Sequence, residues 1–232
     1  RKGSNTVEPK FSWFCYRYAL IPDSCKVRIC ELQSLFIHMD TAHNGSFLCG
    51  NELLMRINNT FLQTLHCNMH SGLLMDCPHR ERLGYTGDGQ VCAEAAMLTM
   101  DCREFYRKWI RDIQDCQDPG SGHVQHTAPL MGGGGGPGGW GCAIVEVPWQ
   151  HYSHYGDASV LAKYYPAMKR YFDYLESRSR NDLVITDKEG EWCLGDWCAP
   201  ERKPLCSSES LLTAYAWYMH HLYAQITALL GM

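Results

Sequence analysis

Between residues 11 and 20 bulky positions alternate with others: Phe14, Tyr16, Tyr18 and Leu20 fall on one side of the rhythm. After the turn-forming Pro22-Asp23-Ser24 it resumes, with Cys25, Val27 and Ile29 set between Lys26 and Arg28. A period of two carried by aromatic and β-branched side chains predicts half-buried strands over 11–38. From about residue 48 the period lengthens. Asn51 is placed to cap a helix, and Leu54, Ile57, Phe61 and Leu65 follow at helical spacing. A second helix is expected over 91–100. Asp101 and Glu104 have the spacing of a capping box, with Phe105, Trp109 and Ile113 on one face behind them. Two more helices are expected over 141–154 and 158–178, separated by Gly156, the second interrupted at Pro166. A last one spans about 208–229, with Leu212, Tyr215, Met219, Leu222 and Ile226 on its buried face.

A short β region thus precedes at least five helices. No strands alternate with the helices, which argues against a parallel α/β sheet. The helices are joined by long loops rich in glycine and aromatic residues, 71–90, 117–140 and 180–206. Long ordered loops in a compact domain usually carry function. The order suits a ring of helical hairpins whose loops gather at one end.

Composition narrows the chemistry. The chain has 232 residues, 45% of them hydrophobic and 20% charged, enough for a sizeable core. Its formal net charge of -4 argues against a nucleic-acid partner. No run of eighteen apolar residues predicts a membrane-spanning helix. The thirteen cysteines include no C-x-x-C pair and the eleven histidines are scattered, so neither a metal site nor a cofactor is expected.

The loops hold the candidate site. In "DCPHRERLGYTGDGQ", residues 76–90, Asp76, Arg80, Glu81, Arg82 and Asp88 surround one proline and several glycines. Gly84 and Gly87 permit tight turns and let the backbone approach a ligand. Paired carboxylates suit sugar chemistry: one binds hydroxyls, and another must hold a proton for the leaving oxygen. A helix cap at Asp76 and a surface ion pair at Glu81 are the plain alternative. In the second loop, five glycines at 132–136 lack the Gly-Lys-Ser/Thr of a phosphate loop, leaving a flexible linker. Trp140 follows, either a platform for a sugar ring or a core residue. The third loop, "DKEGEWCLGDWCAPE", interleaves Glu191 and Asp196 with Trp192 and Trp197.

These residues resemble the bacterial α-L-rhamnosidases of glycoside hydrolase family 78. "DCPHRERLGYTGDGQ" is similar to the family's signature loop, and the likeness continues through "GHVQHTAP" (122–129), "GGWGCAIVEVPW" (138–149), "HYGD" (154–157) and "LGDWCAP" (194–200). "PKFSWFCYRY" (9–18) resembles the end of the β-sandwich that precedes the catalytic domain. The resemblance implies a mainly α fold. Residues 1–47 would end a β-sandwich, and 48–232 would form the N-terminal portion of an (α/α)6 barrel. It implies hydrolysis of terminal α-L-rhamnose from a glycan or glycoside, with inversion. It assigns Glu81 as general acid and Asp76, Arg80 and Asp88 to the sugar pocket. Tyr85 stands where many members carry tryptophan, and Trp140 and Trp192 match further pocket aromatics. The family's general base is expected beyond residue 232, so the chain reads as part of a catalytic domain. A non-catalytic carbohydrate-binding relative, or a related (α/α)6 enzyme for another sugar, stays open, as do aglycone, oligomeric state and compartment.

Overall fold

Six α-helices are present among the described residues of the computed structural model, which are 3–132, 134–193, 195–197, 199–200 and 203–232. Of the loops read from the sequence, Gly133, Leu194, Cys198, Glu201 and Arg202 lie outside the described residues. Helix α1 spans Glu52–Asn68 and begins where Asn51 takes the backbone N–H groups of Leu53 and Leu54 on its side-chain oxygen. Helix α2 covers Thr86–Thr99, α3 Arg103–Asp115, α4 Ala143–Tyr155, α5 Ala158–Ser177 and α6 Ser208–Leu229. Helix α4 is the hub: its Ala143, Ile144, Val145 and Val147 are fully buried, and it packs against α2, α3, α5 and α6. Around it α3 contributes Tyr106, Trp109, Ile110 and Ile113, and α5 contributes Leu161 and Met168.

The connections alternate in length. Three residues join α2 to α3, and Gly156-Asp157 alone join α4 to α5, whereas 69–85, 116–142 and 178–207 are long. The short links make antiparallel hairpins. Gly156 ends α4 at φ 68°, in the left-handed region that glycine tolerates, and its N–H bonds Tyr152 O at 2.7 Å.

Two of the long connections open on β-hairpins that the sequence did not suggest. Strands β1 (Met69–His70) and β2 (Leu73–Leu74) pair antiparallel, as do β3 (Ser179–Arg180) and β4 (Leu183–Val184). Ser71-Gly72 and Asn181-Asp182 all have positive φ, the geometry that a two-residue turn needs to match strand twist.

Four expectations change. The strands expected over 11–38 do not form: only a 3-10 turn at Asp23–Cys25 occurs, and most of the segment is exposed. Alternation supplies a face, but a strand also needs a neighbour for its main-chain groups, and among the described residues none pairs with this segment. Helix α3 starts one residue later than the capping box required. Cys102 N bonds Tyr155 Oη, Asp101 takes only Arg103 N, and Glu104 pairs with Arg107. Pro166 does not interrupt α5; Leu161, Tyr164, Ala167 and Met168 are buried around it, and packing outweighs the roughly 3 kcal/mol that proline costs in a helix. In α1, Leu54 and Ile57 are exposed, and burial begins only at Phe61 and Leu65.

Asp157 caps α5 and ties it to α3. Its carboxylate takes Ser159 N at 3.0 Å and Ser159 Oγ at 2.5 Å, and it pairs with Arg107. The Ser159 hydroxyl, then Arg107, holds its pKa down at about 2. The folded value lies below the unfolded value of roughly 3.9, so this cap contributes stability above about pH 4 and loses it as pH falls towards 2. Asp157→Asn should therefore flatten the melting-temperature profile between those limits. An acid limb identical to the unmodified protein's would break this linkage.

Candidate active site

The loop between β2 and α2 is closed by Asp76. Its backbone N–H bonds Leu83 O and its Oδ1 takes Leu83 N, both at 3.1 Å, while Cys77 Sγ donates to Oδ2 at 2.7 Å. This pins the loop ends and projects Arg80, Glu81 and Arg82 at its tip. Both oxygens of Glu81 then act as acceptors. Tyr85 Oη donates to Oε2 at 2.9 Å, and Arg80 Nη2 lies 2.9 Å from Oε1. Arg82, at φ 57°, turns away: its guanidinium lies over the ring of Trp13 and donates to Trp13 O at 3.2 Å. Trp13 in turn stacks on His70 at 4.3 Å, so the N-terminal segment touches the base of this loop.

Asp88 sits in the first turn of α2. Burial raises its pKa, its own backbone N–H opposes the rise, and the negative charges of Asp76 and Glu81 add to it. The three carboxylates thus share one electrostatic neighbourhood. Burial, followed by the Glu81 hydrogen bond, pushes the Tyr85 phenol up to about 12, which keeps it a donor.

The second loop reaches the first through the main chain. Thr86 N bonds His126 O at 2.8 Å and Ala128 N bonds Gly84 O at 2.9 Å, an antiparallel contact that seats 126–128 against 84–86. Trp140 lies in the 3-10 turn Gly139–Cys142 ahead of α4 and meets Tyr85 edge-on at 5.3 Å. Gly87 serves this packing rather than the turn expected of it. Gly87 is helical, and a Cβ there would fall 2.4 Å from the Trp140 indole; one on Gly89 would fall 2.0 Å from Trp109.

His126, which the sequence did not single out, joins the second loop to the third. Its ring lies 5.2 Å from Trp140 and 4.5 Å edge-on from Trp192. Burial drives its pKa down to about 4, so it is neutral at pH 7. Trp140, Trp192 and His126 line a cavity of about 250 Å³ with Asp196, Trp197 and Tyr215. Asp76 lies instead along a separate cleft beside Asn59, Gln63 and Cys67. The structure therefore brings Glu81, Tyr85 and Trp140 together in a chain of contacts and sets Trp192 beyond His126.

Two further carboxyls matter. Glu191, a candidate from the third loop, is bound to the buried Arg178 and is not free to face a ligand. Glu146 in α4 carried no sequence signal; burial, reinforced by Glu94 of α2, raises its pKa to about 7. Among the described residues no group of three His, Cys, Asp or Glu side chains is arranged to hold a metal ion. No helix among them is long and apolar enough to cross a membrane.

Residues 42–232 match the family model described as the bacterial alpha-L-rhamnosidase 6 hairpin glycosidase domain. An alpha-L-rhamnosidase of Formosa agariphila is 31% identical over 227 residues, covering 93% of this chain and 24% of that protein. The structure of an alpha-L-rhamnosidase from Dictyoglumus thermophilum superposes with a TM-score of 0.76 at 32% identity, covering 84% of this chain and 22% of that one. A Streptomyces avermitilis alpha-L-rhamnosidase complexed with L-rhamnose gives 0.74, also at 32% identity, covering 84% of this chain and 18% of that one. The chain spans about a quarter or less of the length of these relatives. A helical-hairpin architecture, a carboxylate loop at one end of it and a match over four-fifths of the sequence lead to one assignment: this chain belongs to the bacterial alpha-L-rhamnosidase six-hairpin glycosidase family.

Proposed function

We propose that this chain carries the proton-donor side of an inverting α-L-rhamnosidase site, acting on terminal α-L-rhamnose of a glycan or glycoside. The observation that carries the reading is the placement of Glu81: hydrogen-bonded by Tyr85, whose ring meets Trp140 at the rim of the aromatic cavity. A sugar stacked on Trp140, with Trp192 beyond it, would present its glycosidic oxygen to the acidic loop. Arg80 and Asp88 would serve its hydroxyls, while Asp76, whose oxygens accept from Leu83 and Cys77, would act on the pocket by holding the loop closed.

For Glu81 to donate, one of its oxygens must carry a proton, and Arg80 must release that oxygen. The Arg80 side chain is 71% exposed and is held by this ion pair and by Cys77 beside it, both near the protein surface, so it can swing onto a sugar hydroxyl. Arg82 is already occupied by Trp13. The inverting reaction needs a second carboxylate about 6.5–9.5 Å from the first, to hold the attacking water. Glu191 is not offered for that role, because Arg178 engages it.

The boundary near residue 48 between a β-sandwich end, 1–47, and the helical domain, 48–232, is part of the same proposal. The start of the family match at residue 42 and of α1 at Glu52 support it.

The test is hydrolysis of an aryl α-L-rhamnoside by the intact protein, beside a panel of other aryl glycosides. Rhamnoside turnover with β-rhamnose as the first anomer released, read by NMR, is the expected result. Retained rhamnose binding without turnover would make this a carbohydrate-binding relative, and preference for another glycoside would move the specificity.

A further inference from the structure

Arg178 is an expensive residue where it stands. It follows the last residue of α5, its side chain is 4% exposed, and its Nη2 is shared among three acceptors: Asp187 Oδ1 at 2.9 Å, Glu191 Oε2, and Ile185 O at 3.5 Å. Glu191 is itself 13% exposed, and the other oxygen of Asp187 pairs with Arg180 at 2.6 Å. Burying a guanidinium and a carboxylate costs several kcal/mol per ion, which their attraction offsets only in good geometry, so such a cluster is weak evidence for stability. The better-attested use of a buried ionic group is to specify one arrangement of the chain.

What this cluster can specify is the loop beyond β4. Residues 185–197 form no helix or strand among those described, and Gly190 and Gly195 both sit at positive φ. Little regular backbone structure holds this stretch, yet it carries Trp192. Trp192 directly follows Glu191, its backbone packs against Gly136, and its ring meets His126 at the cavity wall.

We propose that Arg178 is a positioning residue: through Glu191 it fixes the 187–192 segment and so sets Trp192 against the sugar cavity. The inference rests on the reading of that cavity as the sugar's, but the clamp itself does not. Lysine does not replace it: all three contacts are made by Nη2, a lysine ammonium ends one bond short of that position, and its stronger hydration makes it costlier to bury than a guanidinium.

The experiment uses Arg178→Lys and the milder Glu191→Gln in the intact protein, with two readouts. Hydrogen exchange over 185–197 should speed up in both variants while exchange in α4 is unchanged. In rhamnoside hydrolysis, KM should rise by up to about 10²-fold, the order of loss a ~1 Å misplacement carries, with kcat little altered. In a Trp192→Ala background the Arg178→Lys effect on KM should vanish, because the two act through one contact. A purely structural arginine would instead give additive losses and a lowered melting temperature. Unchanged exchange over 185–197, or an undiminished KM effect without Trp192, overturns the proposal. Failure of the unmodified protein to hydrolyse any rhamnoside overturns the reading of the cavity, and hydrogen exchange then decides the clamp alone.

Discussion

Glu81→Gln in the intact protein should cut turnover of a natural rhamnoside by about 10²–10⁴-fold, the usual contribution of a general acid. An activated aryl rhamnoside should lose far less, because a good leaving group departs without needing a proton. The amide is isosteric with the carboxyl, and its oxygen can still accept from Tyr85 Oη, so the loop closed by Asp76 and Leu83 should keep its shape. The melting temperature should then be unchanged, which separates lost chemistry from lost fold. The basic limb of the pH–rate profile should also disappear for the activated substrate, since that limb reports the acid. Equal losses on both substrates would mean that Glu81 positions the sugar and that another carboxyl donates the proton. Asp88 would be the first to examine, because burial already raises its pKa.

The largest expected loss of stability comes from Trp109→Ala, at about 3–5 kcal/mol. That is a large part of the roughly 5–15 kcal/mol that holds a typical domain together. Trp109 is fully buried in α3, beneath a helical glycine that leaves room for no Cβ, and its Nε1 donates to Ala128 O at 3.0 Å. Ala128 N is also bonded to Gly84 O, so the indole supports the strip that holds the acidic loop to the second loop. Trp109→Phe separates the contributions: it keeps most of the volume but leaves the Ala128 carbonyl unpaired, a loss of about 1–3 kcal/mol. Denaturant midpoints at constant m-value measure both. A Trp109→Ala midpoint close to that of the unmodified protein would show that the core collapses around the gap.

The parts legible in the sequence were those in which local signals and tertiary packing agree. Asn51 caps α1, Gly156 ends α4, and Leu212, Met219, Leu222 and Ile226 of α6 are buried at the spacing that foretold them. The acidic loop was legible because its side chains are close in sequence. The start of α2 was not, because Gly87 read as a turn residue, whereas it and Gly89 lie in the helix with two indoles pressed against them. The alternation over 11–38 was read as strands, but a pattern of faces says nothing about whether a hydrogen-bonding neighbour exists. The roles of His126 and Arg178 depend on contacts between distant segments. Arg178 looks like any helix-terminal arginine until Asp187 and Glu191 fold back onto it.

The alternation of short and long connections sets where this architecture can change through evolution. Lengthening a flexible loop costs only about 0.6 kcal/mol for each doubling. An insertion in 116–142 or 178–207 would therefore leave the hairpins intact while reshaping the rim of the aromatic cavity. The same insertion at Gly156-Asp157 would part α4 from α5 and break the cap that joins α5 to α3. Changes in what the cavity admits can thus accumulate at one end of the helices while the opposite end keeps its length.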